Sequence, residues 1–179
     1  MKKYRMHMLI VAGIVGSCII MAAAKQTGGK AEFSRTTIDL GMVVGDVEKT
    51  AKFYTEALGF KELSGFDVSA QMANDTGLTD NRPFKVRVFA LGEEPAATRL
   101  KIMTIPGANS KKVDNQYIGS SLGFRYLTVS VADLTRTLER LKQNGVAPVK
   151  EPYRLNGNNY LVLVKDPDGN TVELIGPRP

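Results

Sequence analysis

LGMVVGDVEKTAKFYTEALGF, Leu40 to Phe60, is echoed 87 residues later by LTVSVADLTRTLERLKQNGV, Leu127 to Val146, and the two stretches share one grammar. The first begins within TIDLGMVV, Thr37 to Val44, where Ile38, Leu40, Met42 and Val44 take one face and Asp39, Gly41 and Val43 the other. Alternation at period two is the mark of a half-buried strand. Asp46 then stands where an N-cap belongs. Val47, Ala51, Tyr54 and Leu58 follow at helical spacing, and Gly59 closes the helix. Phe60 to Leu63 begins a second strand. In the second stretch Leu127, Val129 and Val131 alternate with Tyr126, Thr128 and Ser130. Asp133 is the matching N-cap, Leu134, Leu138 and Leu141 form the stripe, and Gly145 ends it. The offset makes Asp39 and Tyr126 equivalent.

Each copy continues into strands. Phe84–Leu91 and Arg99–Ile105 are strand-like in the first, with Gly92–Ala97 as their turn. Tyr160–Val164 and Thr171–Ile175 are strand-like in the second, joined by Asp166-Pro167-Asp168-Gly169-Asn170, whose residue types suit a tight turn. Ser64–Pro83 reads as a long loop, and Ala108–Ser121 as the link between copies. Each copy is therefore β-α-β-β-β, an internal repeat whose sheet buries one face under its own helix.

Length fits one domain: 179 residues, 43% apolar and 23% charged. These proportions exclude a disordered tail, a collagen-like fibre and a multi-spanning membrane protein. Lys2-Lys3-Tyr4-Arg5 precedes the apolar run Met8–Met21, and Ala22-Ala23-Ala24 follows. This is the pattern of a secretory signal peptide cut after Ala24. A lipoprotein box at Val15–Cys18 and an uncleaved anchor are the alternatives, and all three place the domain outside the cytoplasm. Residues 25–35 read as a linker. Without the leader, Lys and Arg number 21 against 18 Asp and Glu, so +6 falls to +3, with no basic stripe for nucleic acid. The lone His7 and the lone Cys18 both leave with it. The remaining 155 residues then have no Cys nucleophile, no Ser-His-Asp triad, no His base and no His-ligated metal.

The repeat, with KDPDGNTVELIG from Lys165 to Gly176 as its most specific piece, resembles the vicinal oxygen chelate superfamily, the glyoxalase, bleomycin-resistance and extradiol-dioxygenase group. The resemblance implies an α+β fold in which two tandem βαβββ modules form a curled mixed sheet around one cleft. The domain would span residues 36–176, with modules at about 36–107 and 122–176. In metal-dependent members four positions meet in the cleft, two on the modules' first strands and two on their last. Carried over, they fall on Asp39, Lys101, Tyr126 and Glu173, and only Glu173 has the usual ligand type.

Those substitutions weigh against a catalytic metal. An ammonium has no free lone pair to donate, and Lys101 puts positive charge where the cation would sit. Tyr126 would ligate only as phenolate, with an ordinary pKa of about 10. Asp39 and Glu173 alone would hold a hard divalent ion loosely, with waters filling most positions. The expected arrangement has Lys101 in place of the metal, between Asp39 and Glu173 and near the Tyr126 hydroxyl. Such a cluster either orients a small polar or anionic molecule, walled by Val43, Met103 and Ile175, or only holds the modules together.

Other signals are plain. Arg87 reads as a strand charge, Tyr153 and Tyr160 as packing or rim residues. Asp166, Asp168 and Asn170 mimic the start of a calcium loop, but Pro167 and the missing twelfth-position Glu make a β-turn. The expectation is an exported domain that binds a small organic molecule without cofactor or nucleic acid, as in the bleomycin-resistance branch, with a homodimer implied by the resemblance. A lyase or dioxygenase with a carboxylate-rich metal site and a degenerate interaction module are the alternatives.

Overall fold

The computed structural model describes residues 33–35 and 37–179; Met1–Ala24, read above as a signal peptide, and most of the segment read as a linker lie outside them. Among the described residues no helix is long and apolar enough to cross a membrane.

The elements run β1 (Asp39–Val43), α1 (Val47–Lys52), a π-helical turn (Phe53–Ala57), β2 (Lys61–Val68), α2 (Ala70–Asp75), β3 (Phe84–Ala90) and β4 (Arg99–Met103) in the first module. The second has β5 (Tyr126–Ser130), α3 (Leu134–Gln143), β6 (Tyr153–Arg154), β7 (Asn159–Lys165) and β8 (Thr171–Pro177). Each module forms one mixed four-stranded sheet, in the orders β1-β4-β3-β2 and β5-β8-β7-β6. The repeat extends to register: β1 pairs parallel to β4 with Asp39 beside Arg99, and β5 pairs parallel to β8 with Tyr126 beside Thr171. Lys101 and Glu173 are therefore equivalent positions of the two sheets.

Both N-caps form as the sequence predicts. The Asp46 carboxylate accepts from Lys49 N at 3.0 Å, and Asp133 accepts from Arg136 N at 3.0 Å. Each satisfies an amide that the first helical turn leaves open. The first helix departs from its simple stripe, because it widens after Lys52 into a π turn closed by Leu58 N donating to Phe53 O at 3.1 Å. The widened turn accompanies burial of both adjacent pairs, Phe53–Tyr54 and Ala57–Leu58. Tyr54 packs edge-on against Phe53 and Phe60, with ring centroids 5.1 and 5.4 Å apart.

One core joins the modules. Tyr54, Phe89, Leu100 and Ile102 of the first lie in the same cluster as Leu134, Leu141, Val164 and Leu174 of the second. Polar groups stitch the same seam. Arg140 of α3 donates from Nε to Ala57 O and from Nη2 to Leu58 O, both at 2.9 Å, and Gly45 N donates to Asp168 Oδ2 at 3.0 Å. The Asp166–Asn170 segment is the expected turn, held by Asp166 Oδ1, which accepts from Asp168 N at 3.0 Å and Asn170 N at 2.8 Å.

Ser64–Pro83 is not a plain loop. β2 continues to Val68 through an irregular register between Leu63 and Phe66, and α2 follows, capped by Ser69. Val68 and Ala73 pack with Phe84, Val86 and Val88 in a second small core, against which Met103 also lies. Strand alternation puts Val88 and Met103 on the face of Lys101, opposite Leu100 and Ile102. α2 therefore covers part of the cleft face of the first sheet. On the second sheet the equivalent face, with Leu161, Leu163 and Ile175, is only half-buried.

Candidate functional site

β1 alternation sends Asp39, Gly41 and Val43 to the cleft face, and the register of β4 sets Arg99, Lys101 and Met103 beside them. The Asp39 side chain is only 10% exposed. Its Oδ2 accepts from Arg35 Nη2 at 2.6 Å and lies 3.1 Å from Lys101 Nζ. Its Oδ1 is buried with no hydrogen-bond partner among the described residues.

The expected cluster is half-formed. Lys101 pairs with Asp39 rather than standing between two carboxylates, and no ion pair among the described residues includes Glu173. Glu173 instead accepts from Thr128 Oγ1 at 2.8 Å within its own sheet. Tyr126, equivalent to Asp39, is 52% exposed. Lys165, also on this face, donates to Thr171 Oγ1 at 2.8 Å and to Asn115 O at 2.6 Å. Arg35 was not expected at the site: it falls in the segment read as a linker, and only its i,i+4 spacing to Asp39 hinted at a pair. Of the expected walls, Val43 is half-exposed and Met103 is engaged with the α2 core.

Between β1 and β5 lies a crevice of about 270 Å³, bordered by Gly41, Val43, Phe124 and Tyr126 and floored by Met42 and Leu100; of the four candidate positions it takes in Tyr126, while Asp39, Lys101 and Glu173 do not line it. The side chain of Phe124 is fully solvent-exposed at its rim. A larger groove of about 720 Å³ lies at the outer end of the first module, beside Val47, Phe84, Lys85 and Arg87. Its cations are already matched. Lys85 pairs with Asp67 at 3.6 Å, and Arg87 pairs with Glu62 at 2.7 Å and Glu48 at 2.8 Å while lying over the Phe89 ring. Arg87 thus belongs to the helix side of its sheet, held by paired carboxylates rather than solvated, and offers no charge to the cleft.

The four positions do not suit a divalent metal. The Lys101 ammonium occupies the Asp39 carboxylate, Tyr126 offers a phenol, and no three His, Cys, Asp or Glu side chains converge among the described residues.

Burial pushes the Asp39 carboxyl up, but the hydrogen bonds and charges of Arg35 and Lys101 outweigh it and hold the group below its ordinary 3.8. A depressed carboxyl stabilises the fold above its unfolded value, and that contribution is lost as pH falls through the folded one. Buried Asp166 is shifted the other way, because desolvation outweighs its turn hydrogen bonds. Comparison with Asp39→Asn therefore isolates the first effect from the second. The melting-temperature gap between parent and Asp39→Asn should be widest near pH 7 and shrink below about pH 4. A gap that stays constant down to pH 3 would mean the pair is not formed.

A family model described as the glyoxalase/bleomycin resistance protein/dioxygenase superfamily matches residues 36–174. The chain is 30% identical over 158 residues to lactoylglutathione lyase of Pseudomonas putida, covering 76% of this chain and 82% of that protein. It is 28% identical over 139 residues to a lactoylglutathione lyase of Arabidopsis thaliana, covering 76% of this chain and 43% of that protein. The chain spans less than half the length of the plant relatives it matches. A solved glyoxalase family protein from Bacillus cereus superposes with a TM-score of 0.68 at 16% identity, covering 84% of this chain and 100% of that one. At that identity the likeness is one of fold.

Proposed function

This chain belongs to the glyoxalase, bleomycin resistance and dioxygenase superfamily, and on that premise we propose that its cleft binds a small organic molecule without a catalytic metal, in a domain exported by the Met1–Ala24 segment. The observation that carries the binding reading is the Asp39–Lys101 pair, 3.1 Å apart at two of the four positions where relatives of the metal-dependent type would hold an ion. Two unit positive charges at 4 Å repel by about 4 kcal/mol at an effective dielectric constant of about 20, and a divalent ion doubles that. A metal on Asp39 must therefore displace an ammonium that already neutralises the carboxylate. The ion pair on the cleft face supplies a few polar groups to orient a ligand, and the crevice between β1 and β5, with its exposed aromatic rim, supplies apolar surface to bind one.

A metal-dependent lyase is the second reading, favoured by the Pseudomonas putida relative's name and by the carboxylate retained at Glu173. The two separate in a thermal-shift titration of the full-length protein with Mg²⁺, Mn²⁺, Zn²⁺, Ca²⁺ and Ni²⁺ against a chelator control. A selective ion at a hundred times its Kd stabilises by about 2.7 kcal/mol, a rise of roughly 5–10 °C for a domain of this size. We expect shifts below about 1 °C for every ion. One saturable rise makes the lyase reading the better one.

A further inference from the structure

Resting on the binding reading above, we propose that the ligand is a short extended peptide, which enters the crevice between β1 and β5 as one strand and pairs with the free edges of both sheets. β1 and β2 bound the first sheet, and β5 and β6 the second. A sheet edge presents unpaired N–H and C=O groups, and proteins blunt it with bulges, short strands, Lys or Pro. Two of these edges are blunted: β2 is interrupted by its irregular register, and β6 is two residues long. The other two are not. β1 and β5 have five residues each, keep an unbroken register with β4 and β8, and carry no Pro and no Lys.

Successive residues of a strand turn their N–H and C=O groups to alternate edges. Val44 N donates to Met103 O at 2.9 Å, so Leu40 and Met42 face β4 while Gly41 and Val43 present their backbone groups to the free edge. Val131 N donates to Ile175 O at 2.8 Å, so Leu127 and Val129 face β8 while Tyr126 and Thr128 present theirs. Among the described residues no backbone hydrogen bond joins β1 to β5. The crevice between them is lined by two unbroken runs, Leu40–Val43 and Phe124–Leu127. Neighbouring side chains of a strand point to opposite faces, so a cavity touching whole runs lies along strand edges and not on one face. The Cα atoms of β1 and β5 are more than 8 Å apart along most of their length. Paired strands sit about 5 Å apart, and two strands with a third between them about 10 Å apart. A glycine within a strand often marks close approach of another backbone. Gly41 has no positive φ, and a Cβ built on it meets nothing within 4 Å, so the described chain itself gives no reason for glycine there. The guest is a single strand, because the edge of another folded sheet has its own neighbour and cannot enter a gap flanked on both sides. Its backbone ladder supplies affinity, and its floor-side residues are apolar, to meet Met42 and Leu100. At about 270 Å³ the crevice is at the small end of ligand sites, which limits the guest to a short stretch.

The test is residue-resolved amide exchange of the full-length protein with and without the pentapeptide acetyl-Val-Thr-Val-Thr-Val amide. The amides of Gly41, Val43 and Tyr126 should slow at least tenfold, while those of Leu40, Met42 and Leu127, already in the ladders, stay as they are. The same peptide N-methylated at both threonines should give no such slowing. Gly41→Pro removes an edge-facing N–H that the β4 ladder does not use, a position where an edge strand tolerates Pro. That variant should lose at least tenfold in peptide affinity, and Gly41→Ala, which keeps the N–H, should stay within about twofold of the parent. If Gly41→Pro does not fold, the methylated peptide carries the test alone. No slowing, slowing without the odd-even pattern, or equal effects of the plain and methylated peptides overturn the proposal. Gly41 and Val43 amides that already exchange slowly without peptide overturn it too, since the edge is then not free. The metal titration is read separately: a saturable ion shift sinks the binding reading, whereas a flat titration with no edge protection sinks only this one.

Discussion

Gly176→Val is expected to cost the fold at least about 3 kcal/mol, a fall in melting temperature of roughly 10 °C. A Cβ at Gly176 would stand 2.3 Å from Val131 O and 2.7 Å from Val131 Cγ2. The first contact is to backbone, so no side-chain rotation relieves it. Nor can Val131 retreat freely, because its own N–H donates to Ile175 O at 2.8 Å and the chain turns straight afterwards into α3. Overpacking of this kind forces backbone shifts. The loss is read by urea unfolding of parent and variant, with Gly41→Val as the matched control on a strand with open space. If Gly176→Val melts within about 2 °C of the parent, β8 does not approach Val131 as described.

Arg140→Ala has the next largest expected effect, roughly 2–3 kcal/mol. The π turn ends with carbonyls that helix geometry leaves unpaired, and the Arg140 guanidinium accepts that role from the other module, donating to Ala57 O and Leu58 O at 2.9 Å each. Ala57 and Leu58 are buried, so removing the donor leaves two acceptors without water or partner. Gly59 cannot be enlarged to fill the gap, because its φ of +83° is a conformation that side chains resist. Arg140→Lys should recover less than half of the loss, since an ammonium cannot span two carbonyls as a planar fork does. Amide exchange near Leu58–Phe60 should rise more than exchange in β7. A uniform rise would mean that the contact is not a local seam.

The modules were legible because their core faces repeat at the periods of strand and helix, and because Asp46 and Asp133 advertise their helix starts. Where periodicity ran out, so did the reading. Ala70–Asp75 is six residues, too short to show a stripe, so α2 passed for loop. The π turn keeps the residue order of an α-helix while adding a buried partner at each step, which a simple stripe through Tyr54 and Leu58 cannot reveal. β6 pairs over two residues only. At the site, alternation correctly grouped Asp39, Gly41 and Val43 on one face. It could not say which carboxylate Lys101 would choose, because that depends on distances across the fold. Arg35 illustrates the same limit, since a charge just outside the first strand carries no pattern of its own. The bareness around Gly41 likewise exists only in three dimensions.

The position of α2 bears on how many ways the cleft can be used. Two modules of one topology and register share a common core. A cavity lined by two identical halves would offer any unsymmetrical guest two equivalent poses, which blurs recognition and divides occupancy between them. Because α2 covers part of one half and no helix among the described residues covers the equivalent face of the other, the poses cease to be equal. The chain keeps the economy of duplication in its framework while its recognition surface acquires a handed sense: one end of the guest meets a lidded wall, and the other meets an open one.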